Sequence, residues 1–84
     1  MKAKILTDSN SLLTMFRLGA IEASLVGDQN FEEEFKNSYK DENLAILIIT
    51  RSVYNKNMNR IDNYRRDYSM PLIVIIDGWK DKIC

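Results

Sequence analysis

The side chains best placed to do chemistry follow the first apolar segment of the chain. The stretch "TDSNS", Thr7 to Ser11, holds one carboxylate, Asp8, among hydroxyl and amide side chains. An aspartate in such a turn could bind a metal ion or belong to a phospho-acceptor site. Short polar side chains also accept hydrogen bonds from the free N–H groups of a first helical turn. Because Asp8 is a lone carboxylate, the sequence favours a helix cap.

Two residue types that dominate catalytic and metal sites are scarce. The chain has no histidine, and its one cysteine is Cys84. A histidine-based catalyst and a Cys/His metal site are therefore excluded, and the lack of an internal disulfide favours a cytoplasmic protein. The turn after the first apolar segment has no glycine to let backbone N–H groups approach phosphates. We expect no cofactor, no metal ion and no catalytic residue.

The charge balance bears on the possible partners. Twelve Lys and Arg face twelve Asp and Glu, so the chain has no overall attraction to nucleic acid or anionic lipid. Base stacking is suggested by three tyrosines beside three arginines, namely Tyr54, Tyr64 and Tyr68 with Arg60, Arg65 and Arg66. Interleaved aspartates and the zero net charge favour a solvated helix face instead. The apolar runs are too short to cross a bilayer. We expect no nucleic-acid partner and no direct insertion into a membrane.

Arg17 is a second candidate functional residue, because it stands between Phe16 and Leu18 just before a glycine. An arginine in the last turn of a helix interacts well with the negative end of the helix dipole and could pair with Glu22 or Asp8. Its planar fork also suits an interface with another protein. Phe16 and Leu18 lie about 200° apart around a helix, so one of them is available to a partner.

Apolar and helical segments alternate along the chain. Four segments have the character of strands: Ala3–Thr7, Ala23–Val26, Leu44–Thr50 and Pro71–Ile76. Between them the spacing predicts a helix ending at Gly19 in the left-handed conformation, a helix capped by Asn30, and one helix of about 25 Å running to Tyr68. Thr50 or Ser52 could cap that last helix.

Alternation of this kind predicts an α/β fold with right-handed crossovers around a parallel sheet. We expect a small three-layer domain with a four-stranded sheet in the order 2-1-3-4, of the receiver-like or Rossmann-like type. Because the last two strands show no alternation, both of their faces should be covered by helices. The expected buried residues include Ile46, Ile48, Leu72, Val74 and Ile76.

Three stretches together resemble the F subunit of the V-type and archaeal A-type ATPases. "FRLGA", Phe16 to Ala20, preceded by Asp8, resembles that family's Phe-Arg-Leu signature, while "ILIIT", Ile46 to Thr50, and "PLIVIIDG", Pro71 to Gly78, resemble its third and fourth strands. The chain departs from the family's pattern at Thr7, at Arg51 after Thr50, and at Asp77. We expect a single domain over residues 1–84 that lacks the family's carboxyl-terminal helix.

The resemblance implies a non-catalytic component of the central rotor stalk. Such a protein binds the coiled-coil D subunit, is linked through it to the catalytic A and B subunits and the membrane sector, and helps couple ATP hydrolysis or synthesis to ion transport. It would be cytoplasmic and peripheral to the membrane. The partner-binding residues expected on this basis are Asp8, Ser9, Phe16, Arg17, Leu18, Thr50 and Arg51.

Two alternatives remain open at this point. One is a receiver-like regulatory domain that has lost its phospho-acceptor and acts as a protein-interaction module, since Thr50 and Arg51 stand where the acceptor aspartate would be needed. The other is a small hydrolase or nucleotide-binding protein. The polar residues expected at the carboxyl ends of the strands favour neither.

Overall fold

The elements of the fold follow the predicted alternation, with one extra helix. The computed structural model describes residues 2–19 and 21–77. Ala20 and Gly78, which belong to the family-like stretches, and residues 79–84 lie outside the described residues. The elements are β1 (Lys2–Thr7), α1 (Asn10–Leu18), β2 (Glu22–Leu25), α2 (Phe31–Tyr39), β3 (Leu44–Thr50), α3 (Arg51–Lys56), α4 (Met58–Asp67) and β4 (Leu72–Ile76).

The four strands form one parallel sheet in the order β2-β1-β3-β4. This confirms the predicted sheet, and each predicted strand lies within one residue of its observed bounds. Ile5 is in register with Ile48, and Ile48 with Val74. Because residues in register on parallel strands point to the same side, the side chains of each face can be assigned across the sheet.

One face of the sheet carries the main core. Leu6, Leu47 and Ile73 pack there against Phe35 from α2 and Ile61 from α4, and all five side chains are buried. The aromatic positions of α2 recur every four residues, which places them on one side of the helix. Burial of this stripe holds α2 and α4 against the sheet.

On the opposite face, the helices of the described residues cover β1 and β2. Leu12 from α1 is buried, as are Ile5 and Ala23 beneath the helix. In the described part of the chain no helix covers the same face of β3 and β4. Five apolar side chains on that face are exposed or half-buried: Ile46, Ile48, Leu72, Val74 and Ile76. We call them the β3–β4 strip.

The expected burial of the β3–β4 strip is therefore wrong. Leu72 is 57% exposed, Ile46 and Val74 are each 37% exposed, and Ile48 and Ile76 are half-buried. The absence of alternation predicted helices on both faces of both strands. In the structure α1 packs against β1 and β2, so among residues 2–19 and 21–77 helices cover only the main-core face of β3 and β4.

The predicted long helix is also wrong, because it is divided at Asn57. Asn57 has φ −131° and ψ 30°, outside the helical region, and separates α3 from α4. Its side-chain Nδ2 donates to the carbonyl of Val53 at 2.9 Å, and its backbone N–H donates to the carbonyl of Tyr54 at 3.0 Å. The asparagine side chain thus competes with the helical backbone bonds and ends α3 within six residues.

The ends of α1 match the predicted positions but not every predicted conformation. Ser9 is the cap, with its Oγ accepting from the backbone N–H of Leu12 at 3.4 Å. Gly19 follows the last residue of the helix with φ −85°, so the predicted left-handed conformation is wrong. Its N–H instead donates to the carbonyls of Met15 and Phe16, which tightens the last turn without a positive φ.

Three stacked tyrosines join α2 to α4. The ring centroids of Tyr39 and Tyr64 are 4.7 Å apart, and those of Tyr64 and Tyr68 are 4.8 Å apart, each pair inclined by 24°. Arg60 spans the same junction: its Nε and Nη2 donate to the carboxylate of Glu32 at 2.9–3.1 Å. The junction is therefore both aromatic and ionic.

Candidate partner-binding surface

Polar side chains meet at the carboxyl ends of β1, β3 and β4. Ser52 Oγ donates to Asp8 Oδ1 at 2.7 Å, and Arg51 Nε donates to Asp77 Oδ1 at 3.1 Å. Parallel strands bring their carboxyl ends to one edge of the sheet, so residues far apart along the chain come into contact. Asp8 therefore anchors the start of α3, and its predicted role as a helix cap belongs to Ser9 instead.

A small cavity lies beside this edge. Its volume is about 40 Å³, close to the share of one water molecule in the liquid and far below the ~300–1,000 Å³ of small-molecule sites. It is lined by Asp8, Val26, Gly27, Asp28, Phe31, Val53, Lys56 and Asn57. Among the described residues, no group of three or more Asp, Glu, Cys or His is placed to hold a metal ion.

A second surface is the outer side of α1. Phe16 turns inward and is half-buried, whereas Leu18 is 85% exposed. Ser11, Met15 and Leu18 are all exposed and follow one another at intervals of four and three residues, which places them on one stripe of the helix. The expectation that one of Phe16 and Leu18 faces outward is met by Leu18.

Arg17 lies beside this stripe and is exposed. Within residues 2–19 and 21–77 it forms no ion pair. The two carboxylates considered as internal partners are engaged elsewhere. Asp8 accepts from Ser52, and Glu22 lies 3.6–3.8 Å from the ammonium groups of Lys2 and Lys4. Neither carboxylate therefore holds the Arg17 guanidinium, which lies at the surface.

The sequence comparison defines the family. Residues 4–83 match the family model described as the ATP synthase (F/14-kDa) subunit. The chain belongs to this family. The match confirms the resemblance drawn from the Phe-Arg-Leu signature and the two apolar strands. Comparison with curated proteins and with solved structures gives no match.

Membership of the F-subunit family has direct consequences for the chain. Members of the family are accessory subunits of V-type and A-type ATP synthases. The chain is therefore a subunit of an ion-transporting ATPase complex. None of the helices in the described ranges combines the length and apolar character that spanning a membrane requires.

The structure divides the expected partner-binding residues of this F-family chain into two groups. Asp8, Ser9 and Arg51 lie at the carboxyl edge of the sheet. The Phe16–Leu18 group lies at the far end of α1, about 13 Å away along a helix of nine residues at 1.5 Å each. Thr50 is only 1% exposed, so any effect it has on a partner would be exerted through the start of α3.

Two exposed apolar features were not predicted from the sequence, namely Met15 on α1 and the β3–β4 strip. Met15, 42% exposed, could have been found because it is three residues before Leu18 and off the side of α1 that carries Leu12 and Phe16. The β3–β4 strip had no such signal. An unbroken apolar run is equally compatible with covered and uncovered strand faces until the positions of the helices are known.

Proposed function

We propose that this member of the F-subunit family is a non-catalytic component of the central rotor stalk that binds the coiled-coil D subunit. Through the D subunit it would be linked to the catalytic A and B subunits and to the membrane sector, and it would help couple ATP hydrolysis or synthesis to ion transport. It would act on the cytoplasmic side, peripheral to the membrane. The observation that carries the proposal is the exposed pair Arg17 and Leu18, within the signature that the family match contains.

The exposed stripe of α1 has the chemistry of a protein interface. Met15 and Leu18 supply apolar contact area, and methionine adapts well to an irregular partner surface. Arg17 supplies a planar fork that can bind a carboxylate or the carbonyls at a helix end while its stem packs against apolar groups. A straight partner helix lying along α1 would meet this stripe and could also reach Ser9 and Asp8 at the other end.

The test is a binding measurement with the purified D subunit. Arg17→Ala removes the guanidinium from the proposed interface, and we expect a loss of affinity of more than about 1 kcal/mol, typical of an interface anchor. Calorimetry measures the affinity. The melting temperature of the isolated variant should stay unchanged, because Arg17 forms no ion pair within the described ranges. The isolated chain should show no ATP hydrolysis in the same preparation.

Arg65→Ala is the matched control. Arg65 is an exposed arginine on α4, across the sheet from α1, and its removal should leave the affinity unchanged. If Arg17→Ala lowered the melting temperature and kept full affinity, the arginine would have an internal role and the proposed interface would be wrong. If the unaltered chain failed to bind the D subunit at all, the central-stalk function itself would be contradicted.

A further inference from the structure

A cavity of about 500 Å³ lies where α2 and α4 meet, on the face of the sheet opposite α1. This volume is within the ~300–1,000 Å³ range of ligand sites. The positions that α4 contributes follow one another at intervals of three or four residues, or directly, and so share one side of that helix. We call it the tyrosine cavity, lined by Tyr39, Arg60, Asn63, Tyr64, Asp67, Tyr68 and Met70.

Hydrogen bonds and stacked rings fix the walls of the tyrosine cavity. The Tyr64 hydroxyl donates to the backbone carbonyl of Met70 at 2.6 Å, which ties the segment after α4 to that helix. The Tyr39 hydroxyl accepts from Arg60 Nη2 at 3.2 Å. The rings of Tyr39, Tyr64 and Tyr68 form a continuous stack. Because contacts within the protein fix these side chains, a ligand has little to order when it binds.

The two charged side chains of the cavity differ in how closely they are neutralised. Arg60 donates to the Glu32 carboxylate at 2.9–3.1 Å, so its charge is compensated at short range. Asp67 Oδ1 lies 3.8 Å from Arg66 Nε, and both of these side chains are mostly exposed. A surface contact of this kind holds a carboxylate only weakly. The charges of the cavity therefore suit a cation better than an anion.

The aromatic rings narrow the choice of cation. Tyr68 is 61% exposed, so part of its ring is open to a ligand beside Asp67. A ring face attracts a cation within about 6 Å of its centroid, and a planar guanidinium also stacks on it. The same combination already exists next to the cavity, because Arg60 lies over the rings of Phe35 and Tyr39 while it binds a carboxylate.

We propose that the tyrosine cavity binds an arginine side chain of a partner protein, with the guanidinium stacked on Tyr68 and paired with Asp67. Met70, which is 60% exposed, supplies apolar contact for the aliphatic stem of that arginine. The cavity lies across the sheet from Arg17 and Leu18 on α1. This contact is therefore separate from the proposed interface with the D subunit, and both surfaces can be occupied at the same time.

Capped tripeptides test the proposal, because they present one side chain within a polypeptide. Glycyl-arginyl-glycine and its lysine and citrulline counterparts are titrated into the isotope-labelled full chain, and the backbone amide chemical shifts are recorded by NMR. We expect the arginine peptide to shift the amides of Asn63, Asp67 and Tyr68 in a saturable way. The lysine peptide should bind about threefold more weakly, since an ammonium does not stack as a planar group. Citrulline keeps the shape without the charge and should bind about tenfold more weakly.

Two variants assign the contacts. Asp67→Asn removes the carboxylate but keeps the shape of the side chain, and it should weaken binding of the arginine peptide about threefold. Tyr68→Ala removes the exposed ring and should weaken binding by a similar factor of about three. Glu33→Gln is the matched control, because it removes an equal charge from an exposed position in the first turn of α2. It should leave the affinity unchanged.

Four results would overturn the proposal. One is the lack of a saturable shift of these amides at up to about 10 mM arginine peptide. Another is equal affinity for the arginine and citrulline peptides, which would mean that the charge is not recognised. The third is equal weakening by Asp67→Asn and Glu33→Gln, which would reduce the attraction to the overall charge of the chain. The fourth is tighter binding of free arginine than of the peptide, which would make a small molecule the ligand.

Discussion

Thr50 and Thr7 are two buried threonines at the ends of neighbouring strands, and their hydroxyl groups differ. Both side chains are at most 1% exposed. Thr7 Oγ1 accepts a hydrogen bond from the backbone N–H of Ser9 at 3.0 Å. Thr50 Oγ1 has no hydrogen-bond partner among the described residues. A buried hydroxyl without a partner costs free energy that a methyl group of the same size does not.

We expect Thr50→Val to raise the free energy of unfolding by about 1 kcal/mol, because it removes an unsatisfied buried group. Thr7→Val, the matched control, should lower it by about 1 kcal/mol, because it removes an acceptor that the turn before α1 uses. Urea denaturation of both variants measures the difference. Destabilisation by Thr50→Val would mean that the hydroxyl has a partner after all.

For individual residues, the sequence predicted which polar side chains lie near the carboxyl edge of the sheet. It did not predict which of them form hydrogen bonds with one another. Asp8 and Ser52 are 44 positions apart, and Arg51 and Asp77 are 26 apart. Such pairs depend on the register of the strands, which no local pattern contains. Local rules did place the cap of α1 among Asp8 to Ser11, because capping depends on residues within one turn.

Arg60 and Glu32 connect two elements, α2 and α4. The Arg60 guanidinium carbon also lies 5.1 Å from the ring centroid of Phe35 and 5.6 Å from that of Tyr39. A surface ion pair alone contributes about 0–1 kcal/mol, whereas a fork that binds a carboxylate while resting on aromatic rings has contacts that a lysine cannot reproduce.

Arg60→Lys therefore keeps the positive charge but loses the forked hydrogen bonds to Glu32 and the contact of the guanidinium with the aromatic rings. We expect the free energy of unfolding to fall by about 1 kcal/mol, measured by urea denaturation. Arg65→Lys, on the same helix, should change it by less than about 0.5 kcal/mol. Equal effects of the two substitutions would show that the contacts between α2 and α4 do not depend on the shape of the guanidinium.

Among the helices and strands, sequence patterns predicted some features correctly and missed others. The alternation of strands and helices predicted the parallel sheet and its order because crossover handedness leaves few other arrangements. The break at Asn57 was missed because one asparagine side chain, bonded to Val53, outweighs an otherwise helical pattern. The open β3–β4 strip was missed because an apolar strand does not specify what lies above it.

Shifted pKa values among the described residues bear on how the stability of the whole molecule depends on pH. The hydrogen bond from Lys2 to Asp41, 2.6 Å long, raises the pKa of Lys2 and, with the N–H of Asn43, lowers the pKa of Asp41. A hydrogen bond to Asp62 raises the pKa of Tyr54. Burial raises the pKa of Tyr64.

These directions determine the shape of the stability profile. Asp41 stabilises the fold above its ordinary pKa of 3.8, and this contribution is lost as the pH falls through the lowered value. Lys2, Tyr54 and Tyr64 stabilise it below their ordinary pKa values of 10.5 and 10.0, and their contributions are lost as the pH rises through the raised values. We expect a plateau at neutral pH with a decline on both sides.

The urea midpoint as a function of pH checks this profile. Tyr54→Phe removes one of the groups that titrate at high pH, so its midpoint should decline less steeply above about pH 10 than that of the unaltered chain. Its acid side should be unchanged because Asp41 is untouched. An alkaline decline identical to that of the unaltered chain would contradict the role given to Tyr54.

The sheet order has a consequence for the synthesis of the protein. β1 is a central strand, but β3, one of its two neighbours, begins only at Leu44. At roughly 5–20 residues per second, a ribosome leaves one side of β1 without its partner for several seconds. Lys2 and Lys4 alternate with apolar residues in that strand, and charges at such positions discourage association between unfinished chains. We therefore expect the two lysines to reduce association between unfinished chains before β3 is synthesised.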